Sequence, residues 1–531
     1  MLAAASPVPD PASREVPRPL DAAGIAELVA AFAAAATVAV AAGCDGVEIA
    51  AGQHALLRQF LSGLTNHRDD AYGADRALLL EQVLTDVRAA VPDAWVGLRL
   101  TVDERAPWAG ITPEDGVATA RRVAGLVDHL VPVRGSALSV GATRPDAHTP
   151  PGFLAPVCAA VRSAVREQGP GATAVVLAGS VVDPADAERA LTDGTADLVE
   201  MTRAQLADPA LVSRVRAGRA PRPCVLTNQE CRVRDPRNPR VSCTVEPNPR
   251  QAMAHRGRPA SGSPHPRPGD TPTVLVVGAG PAGLEGARAL ARAGVAVRLV
   301  DRADRPGGLL RAVATLPGRE RFARFADWLA DEVAALGVAV EVGTEVPDAE
   351  LTRADLPHGP VLLATGGLDA GRPGVPIAAA IAGAALPAGP VVVDDPLGDG
   401  AAVALAEQLV GAGRAVALVT PDPVAGKGLA RTGDLVDAHV RLQRAGVERI
   451  RESAIAEHHD DHVVVADVVT GTRRSLPCAV LVDAGPRRPR PPLDRPGVVV
   501  AGDALAPRTV AEAVREGRAA AAALLARWAA S

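Results

Sequence analysis

The run TVLVVGAGPAGLEGARAL sets Gly278, Gly280 and Gly283 directly after an apolar stretch and at the head of a helical one. In such a turn the first glycine allows the tight reversal, the second lets main chain approach a diphosphate, and the third lets helix pack on strand. The helix amides then face the anion. Asp301 closes the next apolar stretch, VAVRLVD, 18 residues beyond Gly283, where a carboxylate can grip a ribose hydroxyl pair. Residues of these types in this order bind a dinucleotide. A related stretch, VVVDDPLGDG, offers Asp394, Asp395, Gly398 and Gly400 in the corresponding place, where two carboxylates would face the phosphates. A weak dinucleotide site and a nucleotide fold that has lost its ligand are both open readings there. Cys224, Cys231 and Cys243 form the third group, and an iron–sulfur cluster, a zinc site and free thiols all stay open.

Alternating elements must position these groups. Short strands are expected at Gly46 to Ala50, Val96 to Thr101, Leu130 to Val140, Ala174 to Val181 and Leu198 to Met201, with helical stretches between them. Asp183-Pro184 and Asp208-Pro209 each put an N-cap acceptor before a proline at the first helical position. Repeated βα units of this kind give a parallel sheet or a barrel. Periodicity is lost over residues 222–270, where the Pro/Gly/Ser/Arg-rich run Arg256 to Asp270 reads as a linker. A second βα series opens at Thr273 to Val277 and a third at Val391 to Val393. The chain returns to strand, turn and helix over Gly497 to Ala526.

The 531 residues allow about three domains. Net charge is −5, with 56 basic against 61 acidic residues, so nothing points to nucleic acid or to an anionic membrane. The longest apolar run, Ile25 to Ala42, is mostly alanine and holds Glu27; it suits a packed amphipathic helix better than a lipid span. No basic segment precedes an apolar core as in an export signal, and six cysteines make no disulfide framework in this length. A cytoplasmic protein is expected. Cys44, Cys158 and Cys478 lie in apolar surroundings and read as packing residues.

The stretch GCDGVEIAAGQHALLRQFLSGLTNHRDDAYG resembles the old yellow enzyme and 2,4-dienoyl-CoA reductase family, FMN-binding TIM barrels in which a similar run covers the fourth strand and its loop. The likeness continues through VGLRLTVDE, VVLAGSVVDPADAERALTDGTADLVEMTRAQLADP, the cysteine segment and the dinucleotide module, and so covers nearly the whole chain. Long members such as 2,4-dienoyl-CoA reductase and trimethylamine dehydrogenase join barrel, iron–sulfur segment, FAD domain and NAD(P)H domain in this order. AAGQH and NQ.CRVRD..NP are most similar to the branch associated with mycofactocin systems. Pro306-Gly307-Gly308, Ala364 to Gly367, and Gly502-Asp503 ahead of a helix near Arg508-Thr509 together resemble flavoproteins of the disulfide-reductase type and favour FAD at the first site. The implied fold is α/β: a partial, five-stranded TIM-barrel FMN domain over residues 1–221, an iron–sulfur-like segment and linker over 222–270, a Rossmann-like FAD domain over 271–389 and 485–531, and an inserted NAD(P)-type domain over 390–484.

The resemblance also implies roles. Arg99 would stand at the carboxyl end of a barrel strand beside the flavin pyrimidine, and Gly179, Ser180, Thr202 and Arg203 would hold the FMN phosphate. Gly308, Gly502 and Asp503 join Gly278, Gly280, Gly283 and Asp301 around FAD. Asn66, Arg68, Asp70 and Tyr72 match the family's loop framework. Cys224, Cys231 and Cys243 would ligate a 4Fe-4S cluster, in the spacing C-x2-T-x3-C-x11-C, with Thr227 in place of one thiolate. The implied activity passes electrons from NAD(P)H to FAD, through the cluster, to FMN and a small-molecule substrate, or to a redox carrier; a homo-oligomer is compatible with it.

Three departures qualify this. Ala55 stands where the reductases carry a proton-donating tyrosine and Thr143 where they carry a histidine, which leaves His54 as the one plausible substitute acid, with a solvated loop histidine an equally open reading. Thr227 reduces the thiolates to three. The five strands correspond to the fourth through eighth of a barrel, so closure would need about 90 to 150 further residues upstream. Unclosed, the sheet has two bare edges. A fragment, an inactive scaffold, a barrel completed by a partner chain, and a diaphorase serving a partner protein are the alternatives.

Overall fold

The computed structural model describes residues 2–11, 13–167, 169, 173–232, 241–247, 273–347, 359–491, 493 and 497–530, with side chains to residue 527. The linker reading for Arg256 to Asp270 lies outside the described residues. The chain forms two compact units, Met1–Pro145 with Thr149–Thr202, and Asp146–His148 with Arg203–Ser531.

In the first unit a short parallel pair, β1 (Ala3–Ala4) and β2 (Arg18–Pro19), precedes the helix Ala22–Ala41. Asp21 caps that helix by accepting from Gly24 N–H. The helix is long and apolar enough to cross a membrane by length and composition alone, and it packs against the helix Leu78–Ala90. Ile25, Val29 and Ala36 are buried in the first unit's core and Leu28, Phe32 and Val40 pack against it, so one face of the helix is enclosed, as expected of an amphipathic helix, and the alanine-rich remainder is exposed. Alanine, with a single methyl, tolerates this exposure cheaply.

Five strands follow in chain order in one parallel sheet: β3 (Gly46–Ala51), β4 (Trp95–Asp103), β5 (His129–Arg134), β6 (Ala174–Leu177) and β7 (Leu198–Val199). One face is apolar. Val96, Leu98, Leu100 and Val102 alternate along β4 and join the helix residues Leu79, Leu80, Val83, Leu84 and Val161 in a single core. The opposite face carries Glu48, Arg99 and a small cluster of Val131, Val133, Val176 and Ala178. Among the described residues the sheet does not close, and β3 and β7 are its edges.

Three strands stop earlier than the apolar runs imply. β5 ends at Arg134, because Gly135 takes φ +86°, and Val140–Thr143 is a short helix. β6 ends at Leu177, before the left-handed Gly179 and Ser180 at φ +100° and +62°. β7 holds only Leu198 and Val199. Residues such as Ala178, Val181 and Val182 are buried beyond the strand ends, so apolarity outlasts pairing. The helix expected after Asp208-Pro209 begins only at Leu211, since the Asp208 carboxylate turns to the N–H groups of Ala210 and Arg222 and to the Arg214 guanidinium.

The second unit contains two parallel five-stranded sheets. The first is ordered β10-β9-β8-β11-β20, from β8 (Val274–Val277), β9 (Val297–Val300), β10 (Ala339–Glu341), β11 (Val361–Leu363) and β20 (Val498–Val500). The second is ordered β12-β19-β13-β14-β15, from β12 (Val375–Pro376), β13 (Val391–Asp394), β14 (Val416–Val419), β15 (Glu448–Ile450) and β19 (Val480–Asp483). An antiparallel trio, β16 (Ser453–His458), β17 (His462–Asp467) and β18 (Arg473–Pro477), precedes β19. The second sheet's strands lie in sequence between β11 and β20, so the chain leaves the first sheet, builds the second and returns.

Candidate functional site

The turn from β8 into the helix Pro281–Arg292 gives each glycine a separate job. Gly278 adopts φ +103° and donates its N–H to Val300 O at 2.8 Å. A Cβ on Gly283 would fall 1.8 Å from Gly278 O, so helix and strand could not pack with any side chain there. A Cβ on Gly280 would meet nothing within 4 Å, and no side chain caps the helix that follows. Main-chain donors therefore stand open at the helix start, where partial positive charge gathers. Asp301 is aimed at this turn, accepting from Ala279 N–H at 2.5 Å through one oxygen and from Ala303 N–H at 2.8 Å through the other.

Two remote segments complete the surround. Gly307 N–H donates to Ala279 O at 2.7 Å, and a Cβ on Gly308, at φ +53°, would lie 3.1 Å from Gly280 Cα. Gly502, at φ +68°, has room for no Cβ beyond 2.8 Å from the Ala282 methyl, and its N–H donates to Glu516 at 2.9 Å. Asp503 is held by Arg487 at 3.0 Å and accepts from Arg508 N–H at 3.2 Å, while burial pushes its carboxyl above the usual range. The sequence-expected set Gly278, Gly280, Gly283, Asp301, Gly308, Gly502 and Asp503 belongs to this one unit, with the glycines converging on Gly280 and Ala282. Close backbone approach, an open amide turn and a carboxylate on the adjoining strand fit the pyrophosphate and ribose of FAD.

Beneath it lies an ionic cluster that sequence reading missed. Glu285 is fully buried, bonded to Arg288 at 2.8 Å and Arg518 at 2.6 Å, with Arg222 3.7 Å away. These guanidiniums hold its carboxyl far below the ordinary range despite burial. Arg518 also binds Glu246, and the Arg222 guanidinium stacks 4.5 Å from the Trp328 ring centre. Arg222 and Glu246 flank the cysteine segment, which is thereby tied to the FAD-type helix.

Within that segment Cys224 and Cys243 are buried and Cys231 is partly buried. Burial, reinforced by the neighbouring Cys224, pushes the Cys243 thiol up to about 12. Thr227 Oγ1 lies 3.1 Å from Thr244 Oγ1 instead of standing in as a ligand. Among the described residues no three His, Cys, Asp or Glu side chains converge as metal ligands. Three thiols with a threonine engaged elsewhere do not fit a four-thiolate cluster.

On the first unit's polar face, Arg99 is the fifth of nine residues in β4, opposite Ala50 of β3 and Val131 of β5. It therefore sits in mid-strand and not at the carboxyl end, because pairing continues to Asp103. Its guanidinium binds Glu48 at 2.8 Å and Glu200 at 2.8 Å. His129, itself bonded to Trp95 Nε1 at 2.7 Å, lies 3.3 Å from Glu48, and together with Arg99 it holds that carboxyl below the usual range. Gly179 and Ser180 lie past β6 and Thr202 past β7, so these groups stand at adjoining strand ends, where their left-handed or helix-initiating main chain suits a phosphate. Thr202 Oγ1 donates to Glu200 at 2.7 Å. Arg203 belongs to the second unit, where it binds Asn228 at 2.7 Å.

His54 is exposed in the turn after β3. Its neighbour Gln53 is the residue that reaches across the strand ends: its N–H donates to Thr101 Oγ1 at 2.8 Å and its side chain to Arg134 O at 3.2 Å and Thr143 O at 3.4 Å. The framework residues behave as expected, with Asn66 donating to Phe60 O and Tyr72 O, and Arg68 pairing with Asp70. Glu48, Glu200 and Gln53 were not singled out from sequence; the only hint was that Glu48 and Arg99 share the face opposite the apolar alternation.

At the second nucleotide-type turn, Asp394 does not face a phosphate position. It is the last residue of β13 and pairs with Arg372, which also binds Asp483 of the neighbouring β19 at 2.9 Å. Only Asp395 and Asp399 lie in the turn itself.

The profile of the NADH:flavin oxidoreductase / NADH oxidase family matches residues 4–222, and that of an FAD binding domain matches residues 271–357. A metal reductase from Desulforamulus reducens is 34% identical over 349 residues, 64% of this chain and 50% of that protein. An N,N-dimethylglycine/sarcosine dehydrogenase from Chromohalobacter salexigens is 32% identical over 450 residues, 79% of this chain and 62% of that protein. The chain thus spans half to about three fifths of these relatives. The solved histamine dehydrogenase from Rhizobium sp. 4-9 superposes with a TM-score of 0.86 at 25% identity, covering 98% of this chain and 80% of that one.

Proposed function

We propose that this chain, whose residues 4–222 match the NADH:flavin oxidoreductase / NADH oxidase family and whose residues 271–357 match an FAD binding domain, is a two-flavin oxidoreductase, exchanging electrons between a small-molecule substrate at FMN and a second redox partner at FAD. Flavins supply hydride and single-electron transfer when bound. The observation that carries the reading is the division of labour among Gly278, Gly280 and Gly283, with Gly280 open to ligand and Asp301 on the turn.

The chain's own residues supply the rest. The turn amides and Asp301 anchor the FAD diphosphate and ribose, and the tight Gly308 and Gly502 contacts shape the crevice. Gly179, Ser180 and Thr202 hold the FMN phosphate, with Arg203 following Thr202 in sequence. Arg99 presents positive charge to the flavin pyrimidine, tempered by Glu48 and Glu200. His54 carries a proton on the exposed rim for the substrate carbon, while Gln53 pins its loop. Cys224, Cys231 and Cys243 fall one thiolate short of a four-cysteine set, so no step of this reading is routed through an iron–sulfur cluster. For the second redox partner, NAD(P)H is the donor that the resemblance implies. The acidic turn at Asp395 favours instead a carrier that takes electrons derived from the substrate. A soluble, cytoplasmic protein suits either direction.

A second reading, in which the FAD unit alone serves a carrier protein, is favoured by the sheet of the first unit staying open at β3 and β7 among the described residues. Purified protein should hold FAD in a 1:1 ratio, and added FMN should bind to the first unit. A colourless preparation that takes up no FAD at micromolar concentration removes both readings. FAD without FMN selects the second.

A further inference from the structure

The turn from β13 into the helix Gly400–Gly411 has the same position in its sheet unit as the FAD turn has in the first, yet its amides are already taken. Asp395 is fully buried, and one of its oxygens accepts from Gly398 N–H at 2.8 Å and Asp399 N–H at 3.4 Å. Asp399 is the helix N-cap, and its carboxylate accepts from Ala401 N–H at 2.7 Å and Ala402 N–H at 3.2 Å. Four donors that a diphosphate would use are thus filled by two side-chain carboxyl groups of the turn itself. In the FAD turn no side chain caps the corresponding helix.

The surroundings close the remaining space. Gly398, at φ +65°, is backed by Asp422 and by Lys427, the chain's only lysine; a Cβ there would lie 2.9 Å from each side chain. Lys427 is neutralised by Asp422 at 2.5 Å and so offers no free cation to a phosphate. The adjoining strand β14 is followed by Thr420, fully buried, where a ribose-binding acid would stand. The other Asp395 oxygen is buried without a partner, so an approaching phosphate would meet an uncompensated acceptor. The Arg319 guanidinium also stands at the turn, 3.1 Å from where a Cβ on Gly400 would lie.

We infer that the Asp395 and Asp399 carboxyl groups occupy the amides a dinucleotide's phosphates would use, so that this second nucleotide-type turn excludes NADH and NADPH. The inference rests on the two-flavin reading and decides its direction: FAD exchanges electrons with something other than a nicotinamide seated at this turn. Asp395 and Asp399 are then specificity-determining residues.

The test uses the full chain loaded with FAD. Equilibrium dialysis with NADH, NADPH and inorganic pyrophosphate measures binding, and anaerobic absorbance measures flavin bleaching. Wild type should show no saturable nucleotide binding up to about 1 mM, the range of a contact worth about 4 kcal/mol. The double variant Asp395→Gly, Asp399→Ala, checked for retained FAD, should bind pyrophosphate at least tenfold more tightly than wild type. Wild-type binding of either nucleotide below about 100 µM, competed by pyrophosphate, overturns the inference, whatever the variant does. So does an FAD-loaded double variant that still refuses pyrophosphate. Failure to retain FAD in wild type would instead overturn the two-flavin reading, so the two failures are distinct.

Discussion

Arg99 on β4 and Glu200 just past β7 meet at 2.8 Å, although two strands lie between theirs. In a flat sheet three strand spacings would hold the two backbones about 14 Å apart. The contact requires the sheet to curl towards its polar face, as the wall of a barrel does. Glu48 binds Arg99 from the other side, so this guanidinium is offset by two carboxylates.

Removing one of those charges should therefore strengthen what Arg99 does. In FMN-loaded protein, Glu200→Gln is expected to raise the FMN midpoint potential by about 30 mV, equivalent to about 1.4 kcal/mol for a two-electron couple. Photoreduction against a dye of known potential reads the shift. An unchanged potential would mean that Arg99 does not sense the flavin.

The two glycines of the FAD turn should fail differently. Gly280→Ala meets open space, so folding should be retained while FAD affinity falls about 10- to 100-fold, or about 1.4–2.8 kcal/mol. Gly283→Ala drives a methyl into Gly278 O and should cost about 1–3 kcal/mol of stability before any cofactor is added. FAD titration and chemical denaturation of the cofactor-free variants separate the effects.

Asp395 should make stability fall with rising pH. Burial, with help from Asp399, pushes its carboxyl up to about 7 from 3.8, so the folded chain keeps a proton that the unfolded chain has lost. Stability from this group is full below the unfolded value and is lost as pH rises through about 4 to 7, by about 2–4 kcal/mol at most. Asp395→Asn removes the titration, so relative to wild type it should gain stability between pH 5 and pH 8. Urea midpoints at the two pH values test the sign.

Glu285 is the reverse case, a buried charge that stays ionised because Arg288, Arg518 and Arg222 surround it. Glu285→Gln leaves guanidiniums buried against a neutral group and should destabilise the second unit by about 3–5 kcal/mol. Trp328, stacked on Arg222, is the natural fluorescence reporter of that loss.

What could be read from the sequence was whatever depends on neighbours in the chain. The FAD turn was legible because Gly278, Gly280 and Gly283 do their work within six residues of one strand–turn–helix unit, and Asp301 directly follows the next strand. The succession of βα units was legible for the same reason. Strand ends were not: burial continues past Arg134 and Leu177, so apolarity cannot mark where pairing stops.

Only tertiary structure decided which charges meet. Arg99 finds Glu48 and Glu200 at separations of 51 and 101 residues, and Arg518 finds Glu285 across 233, distances at which no local spacing rule operates. Asp394 and Asp395 are adjacent in sequence yet serve opposite ends of the argument, one pinned by Arg372 in the sheet, the other folded back on its own turn. Backbone alternation sends consecutive side chains to different surroundings, and the partners waiting there are supplied by the fold alone.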